Sequence, residues 1–225
     1  MEDLDTEQLQ EAAVDFRYLL SRGYPRQASL NLVGNRYHQN HTARQLLHRG
    51  VFDPATAARR RAKLATLAAL GAGSVGLDGH NVLITLECGL RGLPLVAADD
   101  GFIRDVGEIS GSYRPSKTTD HALHLLARYL RQHHYRPVRV WYDAPISRSG
   151  ELAARTRQLL RDYGLAGEAQ AVAVPEKYLT AEAIPVGTSD TALIDQAAVV
   201  IDIAGEILRT RPQTRIISFN QPLPG

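Results

Sequence analysis

With 225 residues, 44% of them hydrophobic, the chain can bury one large core or two smaller ones. A lone cysteine, Cys88, excludes an internal disulfide and a thiolate metal cluster, and fits a reducing compartment. The net charge of +2 hides an asymmetry: residues 1–15 carry six acids and no base, and residues 16–63 carry ten Lys/Arg against one acid, Asp53.

The acidic start "MEDLDTEQLQE" is the reverse of a secretory leader. Charges such as Glu87 in "VLITLECGL" and Asp202 in "AVVIDIAGEIL" interrupt the apolar runs. A cytoplasmic protein without membrane contact is expected. Asp5, with Gln8 three residues later, suits the cap of a first helix. Its Leu9, Ala13, Phe16 and Leu20 recur at helical spacing, and Gly23 and Pro25 end it. "PRQASLNLV" and "TARQLLHRG" predict two short helices. "DPATAARRRAKLATLAALG" predicts a longer one, with Asp53 as N-cap, Pro54 in the first turn and Gly71 past the end. Together these make a small all-α domain over residues 1–71. Its basic excess suits either a polyanion footprint or a solvated surface. In the first case Arg36, Arg44, Arg59, Arg60 and Arg61 are the phosphate contacts. Short helices joined by tight turns also permit a helix-turn-helix.

"GAGSVG" marks a hinge. Beyond it strand-like runs alternate with helical patterns: "SVGLD", "LPLVAAD", a helix from about Ser116 to His133, "PVRVWYD", a helix from Ser149 to Tyr163, "QAVAV", a long helix from Ser189 to Arg209, and "TRIISFN". The alternation predicts an α/β domain over residues 72–225, a mostly parallel sheet between helices. Residues 82–91 fit a strand and a helix equally, and Trp141 is expected in the core.

Ligands of such sheets gather outside the carboxyl ends of the strands. Asp78 ends "SVGLD", Asp143 ends "VRVWYD", and Asp190 opens the last long helix in line with Leu193, Ile194 and Ala197. Each alone suits a cap or turn. Three acids at one sheet edge would repel one another unless a cation lay among them. All-oxygen ligands suit Mg²⁺ or Mn²⁺. Asp195 falls with Asp202 on the expected outer face of that helix and is a secondary metal candidate.

"LDGHN", "VWYDAP" and "TSDTALID", in this order, resemble the acidic motifs of the PIN-like nucleases, nearest the NYN branch. The likeness covers roughly residues 74–220. It implies a three-layer α/β/α, PIN-like (Rossmann-like) domain in which Asp78, Asp143 and Asp190 hold one or two divalent cations and Asn81 supports the first. The implied chemistry is metal-assisted phosphodiester hydrolysis, with RNA favoured over DNA as partner. Where that family often has a further acid after the last strand, "IISFN" offers Ser218 and Asn220, the latter a weak metal or phosphate ligand. The whole chain, including "RGYPRQASLNLVGNRYH" and "LLHRGV", also resembles a two-domain prokaryotic family of unknown function.

In "AADDGFIRDVGEISGSYR", Asp100-Gly101 predicts a hairpin turn. Asp105 and Glu108 stay open as extra acids, and Arg104 and Arg114 as phosphate grips. Arg148 and Ser149 suit an anion site at the start of the helix after Asp143, where Ser149 also suits the cap. The same residues leave two alternatives: a nucleic-acid-binding protein without cleavage, and a helix-turn-helix regulator whose α/β domain senses a phosphorylated ligand.

Overall fold

The computed structural model describes residues 6–107, 113–135 and 137–219. In chain order the elements are α1 (Thr6–Ser21), α2 (Arg26–Arg36), α3 (His41–Gly50), α4 (Pro54–Arg61), β1 (Leu64–Ala65), α5 (Leu67–Leu70), β2 (Val75–Asp78), α6 (Gly79–Leu90), β3 (Leu95–Ala97) and β4 (Ile103–Asp105). There follow α7 (Lys117–Gln132), β5 (Val138–Asp143), α8 (Ser149–Asp162), β6 (Gly167–Val172), α9 (Pro175–Ala181), β7 (Val186–Gly187), α10 (Thr191–Gln196), β8 (Val200–Ile201), α11 (Ile203–Arg209) and β9 (Ile216–Ser218). The chain forms two compact units. One takes the residues up to Ala62, Pro94–Gly107 and those from Ile216; the other takes Lys63–Leu93 and the residues from 108 to 215.

In the first unit, Asn40 and Asp53 cap α3 and α4 by accepting the Ala43 and Thr56 N–H groups. Leu9, Ala13 and Phe16 of the predicted stripe are buried against Leu46 and Leu47. The core is completed by Val96, Val106 and Phe219 from distant segments. These belong to, or flank, a small sheet in which β3 pairs antiparallel with β4 and parallel with β9. The Asp100-Gly101 hairpin therefore forms. "LPLVAAD" and "TRIISFN", however, do not join the larger sheet. Arginines of the first unit hold the hairpin tip: Asp99 is gripped by Arg17 with two bonds of 2.8 Å, and Asp100 by Arg104 at 2.8 and 2.9 Å.

The second unit is an α/β domain with a six-stranded, all-parallel sheet in the order β1-β8-β7-β2-β5-β6. Helices cover both faces, as the alternation along β5 demonstrates. Tyr142 bonds Thr156 of α8 at 2.8 Å, and Trp141, pointing the other way, stacks on Tyr178 of α9. Residues 79–90 resolve as the helix α6, buried almost all round, which explains why neither periodicity stood out.

Two predicted helices are broken by strands. The helix expected from Pro54 to just before Gly71 stops at Arg61, because Leu64 and Ala65 pair with Val200 and Ile201. Thr66 then caps α5 by accepting the Ala69 N–H. The helix expected from Ser189 to Arg209 divides into α10, β8 and α11. The β-branched run Val199-Val200-Ile201 favours a strand, and Asp202 restarts the helix by accepting the Gly205 N–H at 3.1 Å. Asp202 is buried and ion-paired with Arg209 at 3.2 Å, not solvent-facing. No helix among the described residues is long and apolar enough to cross a membrane.

Candidate active site

Strands β7, β2 and β5 lie side by side. From β2 the chain continues to β5 on one side, and it later returns to β7 on the other. The crevice at the carboxyl ends of these strands is thus the switch point where ligands of open α/β sheets bind. Asp78, Asp143 and the turn Thr188-Ser189-Asp190 all stand at those ends.

Asp78 is buried. One carboxylate oxygen accepts the Thr188 hydroxyl at 3.0 Å, and the other accepts the Asn81 N–H at 3.4 Å in the first turn of α6. The Asn81 side-chain oxygen is occupied: it accepts the Ser189 N–H at 2.8 Å and the Ser189 hydroxyl at 3.1 Å. Asn81 therefore braces the β7–α10 turn against α6 and offers little capacity as a ligand. Asp190 is exposed and caps α10, one oxygen accepting the Ala192 and Leu193 N–H groups at 2.9 and 3.0 Å.

Asp143 is about one-third exposed, and its Oδ2 lies 3.0 Å from Nδ1 of His80, itself 4% exposed in its side chain. The Asp143 backbone N–H donates to this same Nδ1 at 3.0 Å, so the imidazole is tied to both the backbone and the carboxylate of Asp143, and its tautomer decides which of the two bonds Nδ1 makes. Tyr113 and Tyr142 flank the imidazole edge-on, at 5.5 and 5.1 Å between ring centroids. Gly79 makes this packing possible, since a Cβ there would run into the Tyr142 ring. His80 and Thr188 are site residues that the sequence did not reveal. Only the adjacency of His80 to Asp78-Gly79 hinted at the first.

Burial pushes the Asp78 carboxyl up to about 7. The negative charges of Asp143 and Asp190 act in the same direction, against the bonds from Thr188 and Asn81. The three predicted acids thus sense one another. Among the described residues no three His, Cys, Asp or Glu side chains converge as a ready-made metal cage. The donor chemistry nonetheless suits a hard cation. Mg²⁺ commonly takes one or two protein carboxylates and keeps water and substrate phosphate as its other ligands. Asp78 and Asp143, on neighbouring strand ends, supply that number.

The other candidates fare differently. Asp195 is exposed on α10, and its carbonyl accepts Lys63 Nζ at 2.7 Å. Asp105 lies buried on β4 in the first unit, 3.7 Å from Arg49. Glu108 and Asn220 lie outside the described residues. Ser149 is not the cap of α8. Arg148 holds that position at φ 64°, while Ser149 is buried and donates to the Ala144 carbonyl at 3.3 Å. The Arg148 guanidinium is occupied by Glu151, at 2.7 and 3.0 Å, which puts a negative charge where the anion was expected. Arg114 is exposed.

Several bases of the first unit point inward and are unavailable as surface phosphate contacts. Arg60 and Arg104 are buried in ion pairs with Asp100. They stand over the Phe52 ring, as Arg26 does, at 4.7, 5.2 and 4.7 Å. Burial, and then the neighbouring Arg60 and Arg104 charges, lower Arg26 to about 10. Arg44 is spent on the Gln39 carbonyl at 2.8 Å and the Asn35 side chain at 2.9 Å. Arg36, Arg59 and Arg61 are exposed.

Fold and site define an α/β protein with one buried carboxylate, Asp78, and two more exposed ones, Asp143 and Asp190, at the switch point of a parallel sheet. The chain belongs to the family described as a domain of unknown function, DUF5616, whose model matches residues 67–206. Residues 8–63 match a second family, described as a protein of unknown function, DUF434. An uncharacterized protein of Methanocaldococcus jannaschii is 30% identical over 202 residues, which cover 89% of this chain and 96% of that one. The two-part organisation is thus shared along nearly the whole length. No solved structure matches the chain.

Proposed function

We propose that the protein is a metal-dependent phosphodiesterase acting on RNA, with Asp78 and Asp143 holding Mg²⁺ or Mn²⁺ and Asp190 deepening the negative field. One observation carries this: Asp78 is pushed up to about 7 by burial and by two neighbouring carboxylates. A buried acid with like charges around it is a functional-site signature, and a doubly charged cation relieves both causes. When bound, such an ion would activate water and neutralise charge developing on a phosphate. The chain's own side chains fix the carboxylates. Thr188 and the α6 N–H group of Asn81 hold Asp78, and His80 orients Asp143. The choice of RNA rests on the likeness of the three acidic motifs to PIN-like nucleases, helped by the exposed Arg36, Arg59 and Arg61.

The test is incubation of the full chain with labelled single-stranded RNA and Mn²⁺, beside Asp143→Asn. Cleavage that needs the metal and disappears in the variant supports the proposal. Equal cleavage by both proteins would sink it.

A further inference from the structure

Trp141 is in register with Asp78 on the neighbouring strand. It precedes Asp143 by two residues, so the two lie on one face of β5, about 7 Å apart along the strand. Its indole is 7% exposed and stacks on Tyr178 of α9, with ring centroids 4.6 Å apart and planes inclined by 27°. Tyr178 itself is 47% exposed, and Val174, at the start of the same helix, is 39% exposed. An aliphatic side chain on α9 would cover Trp141 equally well. Here a half-exposed flat ring is instead stacked on the residue that is in register with Asp78 and two positions before Asp143.

We propose that the Trp141–Tyr178 stack is a platform for an unpaired nucleobase, which makes single-stranded RNA the substrate class; the placement of the adjoining phosphodiester at the carboxylates rests on the hydrolase proposal above. Every base has a π-face, so such a platform accepts sequence broadly, yet only bases freed from a duplex can use it. A base laid on Tyr178 would leave its backbone at the sheet edge where Asp78 and Asp143 stand.

Trp141 is the only tryptophan of the chain, so intrinsic fluorescence reports on this place. The full chain in EDTA, which prevents cleavage, is titrated with a short oligoadenylate, with the same strand carrying abasic positions, and with its duplex. The single strand should change Trp141 emission. Tyr178→Leu, which keeps an apolar cover, should bind about tenfold more weakly, and the abasic strand should bind wild type with a similar loss. Tyr178→Phe should behave as wild type. Unchanged affinity for the abasic strand, or duplex binding equal to single-strand binding, would overturn the platform, and neither readout depends on a variant folding. Cleavage assayed separately in Mn²⁺ keeps the two proposals apart. RNA cut normally by a protein indifferent to abasic positions rejects the platform alone. Base-dependent binding without cleavage rejects the hydrolase alone. An absence of any RNA binding rejects both.

Discussion

His80 shows how much of the site lies beyond local sequence. Its partner Asp143 is 63 positions away, and no spacing rule joins an imidazole on α6 to a carboxylate on β5. Groups that orient a metal ligand typically contribute 10–100-fold to metal affinity or activity. His80→Leu should therefore lower Mn²⁺ affinity, read by titration calorimetry, by about 10–100-fold. His80→Asn, whose side-chain amide can place either an acceptor or a donor near the Nδ1 position, should recover much of that. Equal losses in both variants would reduce His80 to a packing residue. The acids themselves were legible, because a carboxylate that ends an apolar run and precedes a breaker marks a strand terminus in one dimension. Their burial was not, and burial sets the chemistry of Asp78. Burial pushes the Asp78 carboxyl up from the ordinary aspartate value of 3.8 to about 7. The native state thus holds that proton more tightly, and the stability this group contributes is complete below about pH 4 and lost as pH rises through about 7. Metal-free protein should melt at progressively lower temperature between about pH 4 and 7, and Asp78→Asn should flatten that slope. At the alkaline end Mn²⁺ should raise the melting temperature of wild type and leave that of the variant unchanged. A slope identical in both proteins would show that Asp78 is not the titrating group.

At the scale of elements, the failures share one cause. β1 and β8 are two-residue strands that pair with each other, and each lies inside a stretch whose flanks are sound helix. A helical period sampled over a long window absorbs two aberrant residues, whereas a parallel neighbour supplied by the fold does not. The signs were present as breaks in capping chemistry: Thr66 before α5 and Asp202 before α11 each start a new helix. The helix α6 was ambiguous for the opposite reason, since total burial removes the polar face that defines a period. That burial also makes its first residue exacting. Gly79→Ala forces a methyl into the Tyr142 ring and should destabilise by about 1–3 kcal/mol in urea titration. Gly150→Ala, in the first turn of α8 with open space around it, should instead stabilise by about 0.4–1 kcal/mol. The two substitutions having the same sign would contradict the packing described for α6.

For the whole molecule, the α/β class was readable from the alternation of runs, but the assignment of strands to sheets was not. β3 and β9 look like members of the α/β series, and only their partners place them in the first unit. The basic stretch was misleading in a related way. Counting residues leaves a cationic footprint open, yet Arg17 and Arg60 are matched by Asp99 and Asp100 on the hairpin. Charge that is neutralised from a distant segment cannot be deduced from local composition. A fragment ending at residue 71 lacks Val96, Val106 and Phe219, which belong to the core of the first unit. It should show no cooperative thermal transition by circular dichroism, while the full chain should. A sharp transition in the fragment would show that the helices are self-sufficient.

The late arrival of β9 gives this protein an unusual order of birth. Helices α1–α4 are synthesised before the parallel sheet but must wait for residues 216–218 before their small sheet gains its third strand. The strands of the parallel sheet end at Ile201 and are all synthesised before that. The unit begun first is thus finished last, and in the interval its apolar faces are the part of the nascent chain that a chaperone would be expected to shield.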